Sequence, residues 1–203
     1  MFIWPVEQGA NIAGSKTNAI DQAGTVSYFT VMAILPIVTL PDPILRQVSQ
    51  PVERVDDGLW QLMDDMLETM YAAPGVGLAA VQVGVSRRLI VLDVSKDEEQ
   101  AGPLFMTNPA IVALGPETRL HEEGCLSIPE VLVEIERPAS VTVRYLDRMG
   151  ESKELTAEGL LATAIQHEIN HINGKLIIDF LSPLKRDMVV RKFKKQARST
   201  EAL

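Results

Sequence analysis

The chain is poor in cysteine, histidine and aromatic rings. Its 203 residues include one Cys and three His, and aromatic residues make up 5%. With a single thiol, Cys125, no internal disulfide can form, which suits a reducing compartment. No apolar run approaches the ~18 residues that a bilayer-spanning helix needs, so a membrane is not expected as a partner. Thirteen Gly and twelve Pro are too few for a collagenous or low-complexity chain. Positive charge is also in the minority: 19 Lys and Arg stand against 27 Asp and Glu, for a net charge of −8. That balance argues against a general nucleic-acid binder, and DNA is not expected as a partner. Residues 1–31 contain one base, Lys16, and no Arg. They lack the basic start of a secretory signal and the arginines of a transit peptide, so the expected location is cytoplasmic.

What is present is an ordinary globular balance, 46% hydrophobic and 23% charged. A single domain of this size buries roughly 70% of its unfolded surface, enough for a real core. Residues 1–31 show neither a helical nor an alternating period, which predicts a weakly structured extension ahead of one domain over 32–203. The charge is uneven. Residues 183–203 hold seven bases and two acids, whereas the rest hold 12 bases and 25 acids. A basic tail on an acidic body is either a solvated helix face or a docking element.

After a short apolar stretch, Pro41-Asp42-Pro43 reads as a turn with Asp42 as cap and Pro43 in the first helical position. Residues 56–72 read as a helix, with Leu59, Leu62, Met63, Met66, Leu67, Met70 and Tyr71 recurring at three- and four-residue steps. Gly75-Val76-Gly77-Leu78-Ala79-Ala80-Val81-Gln82 reads as a small-residue loop. Strands are expected at 89–94, 104–114, 118–122, 131–136 and 140–146. The helical period returns from about 157 to 173, closed by Gly174. Ser182-Pro183 opens a last helix in which Leu184, Met188, Val189 and Phe193 are expected to pack inward. The expected class is α+β: short antiparallel strands packed around a central helix, with a C-terminal helix.

The 157–173 helix contains His167-Glu168-Ile169-Asn170-His171. Two His at i and i+4 lie about 40° apart around a helix and one turn from each other, so both rings can reach one metal ion. Glu168 lies about 100° from His167, beside the ion and placed to move protons. A catalytic site of this type needs a third protein ligand and an open position. Another His six residues after His171 is missing, since Ile177 stands there. No Glu occurs between 169 and 200. The remaining candidates lie upstream, at Cys125 and His121. A thiolate is a strong soft ligand, and Gly124 beside Cys125 lets backbone come close.

Three segments together resemble the peptide deformylase family: Gly75 to Gln82, then Glu123-Gly124-Cys125-Leu126-Ser127, then Gln166-His167-Glu168-Ile169-Asn170-His171. They stand in the family's order and at its usual separations. The resemblance runs from about Met32 to the tail and includes Pro41-Asp42, Leu45-Arg46 and Leu181-Ser182-Pro183-Leu184. It implies that Cys125, His167 and His171 are the metal ligands and Glu168 the general acid and base. It implies Gln82 and the Leu126 N–H as donors to a developing oxyanion, and Gly77 and Gly124 as backbone points that pair with an extended peptide. Gly75 and Glu123, inside the same motifs, are expected at the substrate. Ala164 and Leu160 lie one and two turns before His167 on about the same face and, with Val76, are expected to wall the methionine side chain. The implied cofactor is one divalent ion, ferrous iron in the cell, with zinc, nickel or cobalt able to occupy the site.

The implied reaction is hydrolysis of the formyl group from the N-terminal methionine of new polypeptides, with formate as product. Nascent formylmethionyl chains are the implied partner, and the basic tail suggests the ribosome surface as another. The family most often has Asp where this chain has Asn170, a position that does not bind the metal. His121 is left as an unassigned polar residue near the site. Two other readings remain open from sequence: a metal peptidase with a cysteine ligand, and a protein holding a structural metal without catalysis.

Overall fold

The computed structural model describes residues 33–95 and 102–200, together with two short strands further upstream, β1 (Ala19–Ile20) and β2 (Val26–Ser27), which pair antiparallel. Apart from those four residues, the extension expected over 1–31 lies outside the described residues.

The first helix forms as its periodicity dictates. α1 (Asp57–Ala72) is capped by Asp56, whose carboxylate accepts the Leu59 N–H at 3.0 Å. Its Leu59, Met63, Met66 and Met70 are fully buried against Leu78, Ala80, Leu89 and Val91. Just upstream, Asp42 accepts the Ile44 N–H and opens a short 3-10 turn over Pro43–Arg46, as its capping pattern predicts.

Five antiparallel strands form the main sheet in the order β3 (Gly77–Ala79), β4 (Leu89–Leu92), β5 (Leu104–Leu114), β8 (Ser140–Leu146), β9 (Ser152–Glu158). The remaining pair, β6 (Thr118–Cys125) and β7 (Ile128–Pro138), is a separate hairpin. Two elements differ from expectation. The small-residue segment expected as a loop contains β3, because Gly77–Ala79 pairs with Ile90–Leu92, and then a 3-10 turn over Ala80–Val83. Residues 152–158 form β9 where the helical pattern was expected to begin at about 157. Their charged, weakly apolar sequence suits a sheet edge, where like-signed or solvated side chains blunt further pairing.

α2 (Gly159–Ile172) lies across this sheet and is almost wholly buried. Ala162, Ala164, Ile165, Ile169 and Ile172 pack with Ala79, Ile90, Leu92, Val141 and Val143. Gly174 ends it in a left-handed conformation, φ 72°, where a Cβ would stand 2.6 Å from the Arg46 carbonyl oxygen. The strands therefore surround a central helix, as expected.

α3 (Pro183–Thr200) buries Phe193 with Val189 and Val190 against the hairpin's inner face. Leu184 and Met188, expected inside, are 74% and 63% exposed. The contact begins one turn later than the apolar pattern suggests. Among the described residues, no helix is long and apolar enough to cross a membrane.

Candidate metal centre

α2 carries His167 and His171 one turn apart, and the end of β6 delivers Cys125 to them. Cys125 Sγ lies 3.1 Å from His171 Nε2, which lies 3.2 Å from His167 Nε2. All three donor atoms fall within 4.8 Å of one another. His121 is not in this cluster. It pairs with Ile135 four residues up the strand, and Cys125 is the side chain that joins the two histidines.

The donor set fits a divalent metal. One thiolate and two imidazoles are the ligands of a borderline-soft ion, and three protein donors leave a coordination position open. Beside them Glu168 is 4% exposed, and its Oε2 has no hydrogen-bond partner among the described residues. A buried carboxylate oxygen left unpaired is costly unless something at the site engages it.

The electrostatics point the same way. Burial pushes the Glu168 carboxyl up to about 7; Glu123 adds to the shift, while His167, Arg137 and the Ala79 N–H oppose it. Burial disfavours charge on His167, yet Cys125, Glu123 and Glu168 together push it up to about 10. Burial and the neighbouring His167 hold His171 well below the ordinary imidazole value. A field that favours a proton on His167 is a field that attracts a cation.

His167 is held from behind, whereas the buried His171 Nδ1 has no hydrogen-bond partner among the described residues. Glu123 Oε2 stands 2.9 Å from His167 Nδ1, leaving Nε2 to face the cluster. Arg137 on β7 grips both oxygens of Glu123, with Nη2 at 2.9 Å from Oε2. Its Nη1 donates to Asn170 Oδ1 at 2.9 Å, and the guanidinium sits 5.2 Å from the Phe180 ring. Hydrogen bonds to His167 and Arg137 hold the Glu123 carboxyl below its ordinary value against the opposing effect of burial. Glu123, expected at the substrate, thus has its carboxylate committed to a metal ligand and an arginine. Asn170 keeps a hydrogen-bonding role without touching the donor cluster.

Gln82 is also buried at the site. Its Oε1 accepts the Ala79 N–H at 2.8 Å, and its Nε2 points to Ser127 Oγ at 3.2 Å and Cys125 Sγ at 3.9 Å. The Leu126 backbone follows directly on Cys125, and its side chain reaches across to Gly75, where a Cβ would meet it at 3.0 Å. At Gly124 a Cβ would lie 3.3 Å from Leu132 Cδ2. β3 pairs with β4 on one side only, so the outer edge of Gly77–Ala79 has no strand partner among the described residues. β6 likewise pairs only with β7. Val76, Leu160 and Ala164 all join the apolar cluster under α2, with Val76 and Leu160 only partly covered.

Sequence reasoning missed Arg137 and Ser127. The signal for Arg137 was its parity: Val133, Ile135 and Arg137 share one face of β7, and the first two are core. An arginine at an inward position asks for a buried acid. Ser127 lay inside a quoted motif, but its partner is 45 residues away.

The chain is similar to known proteins over most of its length. A sequence model described as polypeptide deformylase matches residues 34–187. The peptide deformylase of Rhizobium meliloti is 57% identical over 171 residues, covering 84% of this chain and 98% of its own. Among solved structures, a peptide deformylase from Legionella pneumophila superposes with a TM-score of 0.75 at 48% identity, over 83% of this chain and 98% of that one. The Ehrlichia chaffeensis enzyme in complex with actinonin gives 0.77 at 44%, over 82% and 99%. Because the match spans most of the chain and nearly all of these relatives, the chain belongs to the polypeptide deformylase family.

Proposed function

We infer that the protein hydrolyses the formyl group from N-formylmethionine at the N-terminus of newly made polypeptides and releases formate. The observation that carries the reading is the convergence of Cys125 Sγ, His167 Nε2 and His171 Nε2 beside the buried, unpaired Oε2 of Glu168.

Cys125, His167 and His171 would hold a divalent ion, which would supply an acidified water and a positive centre beside the developing charge. Glu168 takes one proton from the attacking water. Its buried carboxyl, with Oε2 free of any hydrogen-bond partner among the described residues, is suited both to accept that proton and to return it. As the water oxygen bonds to the formyl carbon, negative charge grows on the formyl oxygen, where Gln82 Nε2 and the Leu126 N–H donate to it. Glu168 then protonates the methionine nitrogen, the C–N bond breaks, and formate and a free amine leave. The peptide lies extended between Gly77 and Gly124, adding a strand to the unpaired edges of β3 and β6. Gly75 keeps the entrance open for Leu126, while Val76, Leu160 and Ala164 wall the methionine side chain. The Glu123 carboxylate holds His167.

We take ferrous iron as the working ion, with zinc, nickel or cobalt as substitutes, since a thiolate and two imidazoles accept all four. Metal analysis of anaerobically purified protein, with activity measured on the same sample, tests that choice. The reaction belongs in the cytoplasm, where nascent chains emerge. The exposed Lys194, Lys195 and Arg198 of α3, with Lys192, are read as a contact to ribosomal phosphate. Replacing those four bases with Gln should abolish co-sedimentation with ribosomes and leave turnover of a free peptide unchanged.

The central test is Glu168→Gln with Cys125→Ala. Glu168→Gln should bind metal normally and lose nearly all formate release, and Cys125→Ala should lose metal. Full activity in either variant, or cleavage of an ordinary peptide bond by the parent, would overturn the reading. A structural metal site would require four protein donors, and the described residues bring three together.

A further inference from the structure

Gln82 is a long side chain with a demanding task, because an amide that stabilises an oxyanion must present nitrogen and not oxygen. Its oxygen end is fixed by the Ala79 N–H, which can only donate and therefore selects Oε1. Its nitrogen end carries two hydrogens. One points to Ser127 Oγ at 3.2 Å, which leaves the other for the pocket holding Cys125 Sγ, 3.9 Å away. Ser127 is fully buried and Gln82 is 1% exposed, so no solvent competes for this arrangement.

The backbones of the same two residues are also tied together. Val38 N–H donates to the Gln82 carbonyl at 2.7 Å, and Leu40 N–H donates to the Ser127 carbonyl at 3.0 Å. Gln82 belongs to the turn after β3, in the five-stranded sheet, and Ser127 to the turn of the β6–β7 hairpin. The segment before the first 3-10 turn therefore joins the two units of the fold at the residues whose side chains meet. Ser127 has no need of a hydroxyl for packing there; an alanine would fill nearly the same volume.

We propose that Ser127 is a positioning residue that aims the Gln82 carboxamide at the developing oxyanion, with Val38 and Leu40 setting the distance between the two backbones. This rests on the reading of Gln82 as an oxyanion donor. Removing the hydroxyl leaves Gln82 anchored by Oε1 and by the long Nε2 contact to Cys125 Sγ, so its nitrogen is held less firmly in line. Binding of the ground-state peptide does not use that nitrogen, so KM is unaffected and the loss appears in kcat.

The test is a double-mutant cycle on the metal-loaded full chain with a formyl-Met peptide. Ser127→Ala should lower kcat by roughly ten- to a hundred-fold, with KM, metal content and melting temperature close to the parent. In a Gln82→Ala background, adding Ser127→Ala should cost nothing further in kcat. The Gln82 side-chain amide resonances should sharpen toward a rotationally averaged position in Ser127→Ala, and Ser127→Thr should restore both signal and rate. An equal Ser127→Ala loss in both backgrounds, or an unchanged kcat, would overturn the proposal. A Gln82→Ala variant with parental kcat would instead overturn the role of Gln82, and with it the reading on which this proposal stands.

Discussion

A Cβ added to Gly77 would stand 2.5 Å from Glu168 Oε1 and 3.0 Å from its Cγ and Cδ. The glycine is therefore required by the carboxylate behind it as much as by any peptide in front of it. The edge of β3 and the acid of α2 touch with no room for a methyl group. The expected result for Gly77→Ala is a displaced Glu168, with the Cys125, His167 and His171 cluster intact. Turnover should fall by ~100-fold or more, the usual contribution of a positioned acid and base, while metal content stays at the parental level. Loss of metal in this variant would show that Gly77 supports the ligands instead.

The Arg137–Glu123 pair gives a different kind of prediction. Both side chains are nearly inaccessible, 6% and 5% exposed. Arg137→Leu leaves a buried carboxylate without its main partner, a change that costs on the order of 3–5 kcal/mol. The denaturant midpoint should fall accordingly, and a chelator should strip metal faster because His167 loses its fixed neighbour. Glu123→Gln combined with Arg137→Leu should recover part of the stability, since no uncompensated charge remains. Equal stability of Arg137→Leu and parent would mean that Glu123 finds another partner.

Much of the metal site was legible because its geometry is local. Two His one turn apart on a periodic helix can only face one way, and Glu168 follows from the same rotation. Spacing alone left Cys125 one of two candidates, and the resemblance to the deformylase family singled it out. Arg137 and Ser127 were not legible as partners, since their contacts join separate strands and turns and leave no mark on neighbouring residues. β9 was missed because its charged side chains satisfy an edge and carry no apolar alternation. Leu184 and Met188 fit a helical stripe, but a stripe does not say where a neighbouring element ends.

Asp179 links stability to pH. Burial would raise its carboxyl, but the hydrogen bond from Arg46, the Leu176 N–H and the charge of Arg186 outweigh it and hold the value below the ordinary one. A group whose folded value is depressed stabilises the fold above its unfolded value and loses that contribution as pH falls through the folded value. The parent should therefore be more stable than Asp179→Asn at neutral pH, with the two melting curves converging as pH drops below ~4. A constant difference down to pH 2 would exclude ionisation as its source.

Residues 33–35 are tied to α1. Ala33 N–H donates to Asp65 Oδ1 and Leu35 N–H to Thr69 Oγ1, each at 2.8 Å, so the chain is fastened along α1 before it reaches Val38. Thr69 is 1% exposed and also donates to the Asp65 carbonyl, which makes its hydroxyl a fixed acceptor. A protein beginning at Met32 keeps every one of these bonds, and it should match the full chain in activity and melting temperature. A protein beginning at Pro36 loses both bonds to α1 and the cover of Leu35 over the α1 core. It should be destabilised by more than about 2 kcal/mol, since two net hydrogen bonds at about 1 kcal/mol each are lost together with the packing of Leu35. If the Met32 form melts several degrees lower, residues 1–31 contribute to the fold. If the Pro36 form is unchanged, the fastening begins at Val38 and the two upstream bonds add nothing measurable.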